Sequence, residues 1–304
     1  MAALPNFLIV GAARCGTTSL YEALRQHPEV FMPPSAKEPS YFVPQAGVVS
    51  QWNDYLALFE GSDAYRRRGE ASVSYLMEPT AARRISAALG NDIRILIMLR
   101  DPVAMAYSNW GHQVRRGCEA LTFVDAVKDE GRRLNDPQFA QECRCWVSDV
   151  TYVARARFGE QVARYLEVFG RERVACFLFE EFFRDGLPQF SDLCRFLGID
   201  DGYQPVNEVH NQAGVVRSPH VRRMLTERMA WKEPLKRLIP VGARRAITRS
   251  LARFNNVERA PDPIPGEAVT LLRAQFGEDI RVLSGLIQRP DLPDLWPLAC
   301  QPAA

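Results

Sequence analysis

A chain of 304 residues, 47% of them hydrophobic, is long enough for one large α/β domain or two small ones, and its 24% of charged residues excludes a disordered or fibrous chain. The formal net charge is +2 with basic residues scattered along the chain, so no whole-molecule field for capturing nucleic acid is implied and any anion site has to be built locally. No run approaches the roughly 18 consecutive apolar residues of a membrane helix, and a strand-like segment at Phe7–Val10 begins too early to leave room for a signal peptide.

Phe7–Val10 is a short apolar run that ends in a glycine-bearing turn. A helix pattern follows from Thr17 to Gln26, with Leu20, Ala23 and Leu24 on one face, and His27-Pro28 stops it. Trp52 to Arg68 carries aromatics and the run Arg66-Arg67-Arg68, which fits either an acceptor-cleft lining or a solvated helix end. Ile93–Leu99 is the strongest strand candidate. A helical stretch from Asp149 to Phe169 precedes a third strand at Val174–Phe179. Cys143-x-Cys145 has no histidine or second cysteine pair nearby, and the seven cysteines show no framework spacing. They read as reduced, mostly buried thiols of a cytoplasmic protein, with no metal. Phe190–Leu197 and Val221–Leu225 look helical. The basic segment Trp231–Asn256 (Lys232, Lys236, Arg237, Arg244, Arg245) fits a lid, a substrate-facing segment or a solvated helix face. Glu267–Ile287 reads as a late amphipathic helix. Near-continuous apolar strands separated by helices predict an α/β fold, a P-loop-like parallel sheet flanked by helices. No linker divides the chain, so residues 1–304 are expected to form a single domain.

The turn Gly11-Ala12-Ala13-Arg14-Cys15-Gly16-Thr17-Thr18 sits between strand and helix, where backbone N–H groups and the positive helix end make an anion cradle. Its glycines have the separation of a Walker A loop, but Thr17 stands at the lysine position and the cation has moved back to Arg14. A nucleoside triphosphate needs that lysine and magnesium. A sulfuryl group carries less charge and is served by one cation, amides and hydroxyls. An ordinary glycine turn with a surface arginine is the plainer alternative. Arg100 closes the strong strand, where ligands of parallel sheets sit, and Ser108 follows on the next helix. A salt bridge capping the strand is the alternative for Arg100. Asn211, Gly214, Arg217 and Ser218 form a late polar loop that is equally readable as plain surface.

Gly11 to Leu20 resembles the 5′-phosphosulfate loop of sulfotransferases that use 3′-phosphoadenosine-5′-phosphosulfate (PAPS), in the heparan-type and bacterial branch. Leu99-Arg100-Asp101-Pro102 with Tyr107-Ser108 is similar to their 3′-phosphate motif, and Lys37-Glu38-Pro39-Ser40-Tyr41-Phe42 to their Lys-Glu-x-x-Phe-Phe region. Gly69-Glu70-Ala71-Ser72, Phe196-Leu197-Gly198 and Asp291-Leu292 with Trp296 continue the resemblance. It implies that Arg14, Cys15, Gly16, Thr17, Thr18 and Ser19 hold the 5′-phosphosulfate. It implies also that Arg100 and Ser108 hold the 3′-phosphate, and that Arg217 belongs to a loop closing over the nucleotide. Two departures stand out: Arg14 replaces the family's usual lysine, and Val73 a common proline.

Sulfuryl transfer needs a base for the acceptor proton. The resemblance assigns that role to Glu38, with Lys37 orienting it or touching the acceptor; a simple Lys37–Glu38 ion pair is the alternative. His27 and His112 are poorer candidates, His210 is a reserve, and Glu70 is placed to support the site from a strand end. The acceptor is expected to be a small molecule or glycan offering a hydroxyl or amine. A magnesium-dependent P-loop kinase and a non-catalytic nucleotide-binding protein remain the rival readings.

Overall fold

The computed structural model describes residues 4–34, 36–46, 48–143, 145–183, 188–206 and 262–300, together with the backbone of Val215–Val216 and Asn256–Val257. Five strands form one wholly parallel sheet: β1 (Phe7–Gly11), β2 (Val30–Phe31), β3 (Arg67–Ala71), β4 (Arg94–Leu99) and β5 (Val174–Leu178), in the spatial order β2-β3-β1-β4-β5. Phe7 to Val10 and Ile95 to Leu99 have no exposed surface, as expected of strands covered on both faces. Gly69 of β3 pairs with Phe7 of β1, and a Cβ on Gly69 would lie 2.3 Å from the Phe7 ring. A glycine is therefore needed there to let the ring lie across the neighbouring strand.

The described chain separates into two compact units, residues 1–106, 153–210 and 269–304 in the first and 107–152 and 211–268 in the second. The first contains the sheet, helix α1 (Thr17–Gln26), and the helices Pro188–Leu197 and most of Gly266–Ile287. The expected helix over 149–169 is instead three pieces, Val147–Val150, Tyr152–Ala156 and Phe158–Phe169. The break has a cause distant in sequence. The Asp279 carboxylate accepts from the amides of Gly159 (2.9 Å) and Glu160 (3.2 Å), capping the new helix start.

In the second unit, the buried Arg133 guanidinium donates to Glu119 (2.6 Å), to Asp129 (3.0 Å) and to the Val150 carbonyl (2.9 Å), while the Tyr152 hydroxyl donates to Glu119 (2.7 Å). An ion pair out of water is tolerable only when its donors are satisfied in this way. Val215–Val216 pairs antiparallel with Asn256–Val257. The cysteines are less buried than expected: all seven are free thiols, but only Cys15 and Cys194 are buried. Cys143 and Cys145 bring their sulfurs to 3.7 Å, and among the described residues no group of three or more His, Cys, Asp or Glu is arranged to hold a metal ion. No helix of the described residues is long and apolar enough to cross a membrane.

Candidate active site

The carboxyl ends of β1, β3 and β4 carry the turn Ala12–Gly16, the Glu38 turn docked on Ala71, and Arg100, all within the first unit. β1 runs into the turn Ala12–Gly16, and α1 starts directly after it at Thr17. The Ala12 amide donates to the Met98 carbonyl at 2.7 Å, stitching the turn to the end of β4. Gly16 sits at the N-cap of α1 with φ 85°, and a Cβ there would meet Phe183 at 2.3 Å and Phe179 at 3.0 Å. Both the left-handed backbone and the close approach require glycine. The first-turn amides of α1 are left facing the turn, with the helix dipole behind them. Thr17 is buried, while Thr18 and Ser19 are partly exposed. The Cys15 side chain is buried against the Ala13 carbonyl, and burial pushes its thiol up, so it stays protonated and contributes no thiolate.

Arg14 stands in left-handed backbone, φ 62°, and is partly exposed. Burial lowers its pKa, and the positive charge of Arg100 lowers it further. Two cations thus share one neighbourhood, an arrangement that an anion between them would relieve. Arg100 lies over the Phe179 ring, 4.6 Å from the centroid, the same phenylalanine that packs near Gly16. Asp101 directs the chain away: its carboxylate accepts from Val103 (2.9 Å) and Ala104 (3.2 Å), and Pro102 opens the helix Pro102–Arg116. Glu180, unremarked in the sequence, accepts from the Asp101 amide at 2.9 Å and from the Trp296 indole at 3.1 Å. It fixes the turn that carries Arg100.

Glu38 lies on a turn docked at the end of β3, where its amide donates to the Ala71 carbonyl at 2.9 Å. Its carboxylate is 3.1 Å from Lys37 Nζ and about a third exposed, with a side-chain accessibility of 36%. The ion pair is therefore present, and it leaves the carboxylate open to solvent. Tyr41 stacks on Tyr55 at 4.9 Å and lies 5.4 Å from Trp52, so the segment is anchored by its aromatics.

Other candidates fall elsewhere. His27 is buried, with Nε2 at 2.9 Å from the Asp200 carbonyl and Nδ1 accepting from the Glu29 amide at 3.2 Å, so both nitrogens serve the fold. Arg67 and Arg68 begin β3, at the end of the sheet opposite the turn Ala12–Gly16. Arg68 donates to the carbonyls of Leu4 (3.0 Å) and Tyr65 (2.7 Å), and Arg67 to that of Leu197. These arginines tie chain segments together. Ser108 and His112 stand on the helix Pro102–Arg116, in the part belonging to the second unit, and both are partly exposed. Arg217, Asn211, Gly214, Ser218, His210, Val221–Leu225 and the basic residues of 231–255 lie outside the described residues.

Residues 4–214 match the family model of the sulfotransferase domain. The chain belongs to the sulfotransferase family. The crystal structure of a sulfotransferase from Alicyclobacillus acidocaldarius superposes with a TM-score of 0.70 and 31% identity, covering 94% of this chain and 97% of that one. Membrane-associated sulfotransferase kil1 of Dictyostelium discoideum is 31% identical over 115 residues, 37% of this chain. Human heparan sulfate glucosamine 3-O-sulfotransferase 3B1 is 30% identical over 120 residues, 40% of this chain. The matched stretches span only 24% and 30% of those two relatives. The family model ends before Trp296, whose indole nonetheless reaches the Arg100 turn through Glu180.

Proposed function

We propose that the protein transfers a sulfuryl group from PAPS to a hydroxyl or amine of an acceptor, and that the acceptor is a carbohydrate. The observation that carries the reading is the convergence of Arg14 and Arg100 beside the start of α1. A ligand with two separated anionic groups fits two cations and a helix N-terminus, and PAPS has one at each end of its ribose. The turn residues Arg14, Cys15 (through its amide), Gly16, Thr17, Thr18 and Ser19 would hold the 5′-phosphosulfate. Arg100 would hold the 3′-phosphate.

In this reading Glu38 takes the acceptor proton as the acceptor oxygen attacks sulfur in line. The new oxygen–sulfur bond forms as the bond from sulfur to the bridging phosphate oxygen breaks. Arg14 and the turn amides stabilise the charge left on the departing phosphate. The products are the sulfated acceptor and 3′-phosphoadenosine-5′-phosphate (PAP), and no metal is assigned a part. The names of the heparan sulfate relatives favour a sugar acceptor. A cytoplasmic location belongs to the same reading, supported by seven free thiols.

The test is calorimetry with PAP and with ATP, each without magnesium, followed by an acceptor screen with PAPS read by mass spectrometry. Micromolar or tighter PAP binding with much weaker ATP binding is expected. Equal affinity for ATP, or a requirement for magnesium, overturns the reading.

A further inference from the structure

A second carboxylate lies beneath the Glu38 turn. Glu70, on β3, is completely buried. Tyr55 donates to its Oε1 at 3.3 Å and Ser72 to its Oε2 at 2.8 Å. The Ser72 oxygen in turn accepts the Ser40 amide at 2.9 Å, and the Ser74 hydroxyl reaches Ser40 Oγ at 3.1 Å. Glu38 and Ser40 both hold left-handed backbone, φ 64° and 52°, which costs energy for residues other than glycine and persists only where neighbours enforce it. The enforcing contacts are the Ala71 carbonyl on the Glu38 amide and the Ser72 hydroxyl on the Ser40 amide.

A hydroxyl has one hydrogen to give. With Glu70 ionised, Ser72 gives that hydrogen to the carboxylate and turns a lone pair to Ser40. With Glu70 protonated on Oε2, its O–H donates to the second lone pair of the Ser72 oxygen, and the Ser72 hydrogen has to seek another acceptor. We infer that Glu70 is a positioning residue: through Ser72 its carboxylate sets the turn that presents Glu38 to the acceptor. The inference rests on the assignment of Glu38 as the base. The ionisable groups that feel the Glu70 charge are Tyr55, Tyr75, Tyr21 from α1, Tyr165 from the helix Phe158–Phe169, and Glu38 itself. Burial, set against the hydrogen bonds, lifts the Glu70 pKa to about 7, so the switch between the two arrangements falls in the neutral range.

The experiment compares the full-length wild type with Glu70→Gln and Ser72→Ala. It measures kcat against pH, PAP affinity by calorimetry, and the amide signal of Ser40 by nuclear magnetic resonance. Misplacing a reacting group by about 1 Å costs up to about 100-fold. Glu70→Gln should therefore lose roughly 10- to 100-fold in kcat, keep its PAP affinity, and lose the wild-type inflection near pH 7. In the wild type the Ser40 amide should titrate with a midpoint near pH 7, a readout that needs neither an acceptor nor a folded variant. A Ser40 amide that does not move across neutral pH overturns the inference. So does a Glu70→Gln protein with wild-type kcat and an unchanged pH profile. If Glu38→Gln is inactive while Glu70→Gln is silent, the base assignment stands and this inference alone falls. If wild-type protein binds no PAP, it is the proposed function that fails.

Discussion

Arg100 lowers the pKa of Arg14 although the two are separated by about half of the sheet's sequence, one on the turn after β1 and the other at the end of β4. Parallel neighbours in register, Ile9 with Leu96, bring the two turns to the same edge. A dianion bound between the two cations would offset their mutual repulsion. Arg100→Ala should weaken PAP binding by roughly 1.5–3 kcal/mol, the worth of a charge-assisted hydrogen bond. It should leave thermal stability unchanged or slightly raised. Calorimetry with a ligand lacking the 3′-phosphate is the control, and equal weakening of both ligands would detach Arg100 from that phosphate.

Glu38→Gln keeps the shape and hydrogen-bonding capacity of the side chain but cannot take a proton. Transfer should fall by about 10²–10⁴-fold with PAP affinity nearly unchanged. A rate above about a tenth of wild type would move the base elsewhere, with His210 the next residue to change.

Glu70→Gln should also alter stability, in the direction opposite to its effect on rate. The folded-state pKa of about 7 lies above the ordinary value of 4.5, so the native state holds its proton more tightly than the unfolded chain. Between those values rising pH therefore removes stability, and above pH 7 the buried charge costs on the order of 3 kcal/mol. Denaturant unfolding of both proteins at pH 4.5 and pH 8 checks this: the variant should gain on the wild type at pH 8 only.

Gly16→Ala places a Cβ about where Phe183 already stands, in left-handed backbone. The backbone alone costs about 1–2 kcal/mol, and the aromatic contact adds to it. Loss of PAP binding together with a lower melting temperature is expected. A variant of wild-type stability and affinity would show that the turn opens freely.

The elements read correctly from the chain were those written in apolar runs or apolar stripes: β1, β4, β5, α1 and the helices Pro188–Leu197 and Gly266–Ile287. β3 escaped because its sequence, Arg67-Arg68-Gly69-Glu70-Ala71, has three charged residues whose partners come from elsewhere, Leu197 and Leu4 for the arginines and Tyr55 and Ser72 for the glutamate. The break near Arg157 was illegible for the same reason, since the capping Asp279 stands 120 residues from Gly159. For the candidate site, the glycine turn and the strand end pointed to Arg14 and Arg100, and the family resemblance pointed to Glu38. Glu180 and Ser72 act by holding other residues' amides, a role that leaves no pattern of its own in the local sequence.

The contact between Trp296 and Glu180 spans 116 positions, and Glu180 in turn holds the amide beside Arg100. The ribosome therefore releases the turn Ala12–Gly16 long before the tryptophan that braces the Arg100 turn. A nascent chain can form the turn after β1 early, but the bracing of the Arg100 turn waits for Trp296. Expression boundaries drawn at the end of the recognised family segment, residue 214, would cut away that brace. Such a fragment would also lose Asp279, which caps the helix Phe158–Phe169, and the buried Leu272, Phe276, Ile280 and Leu283.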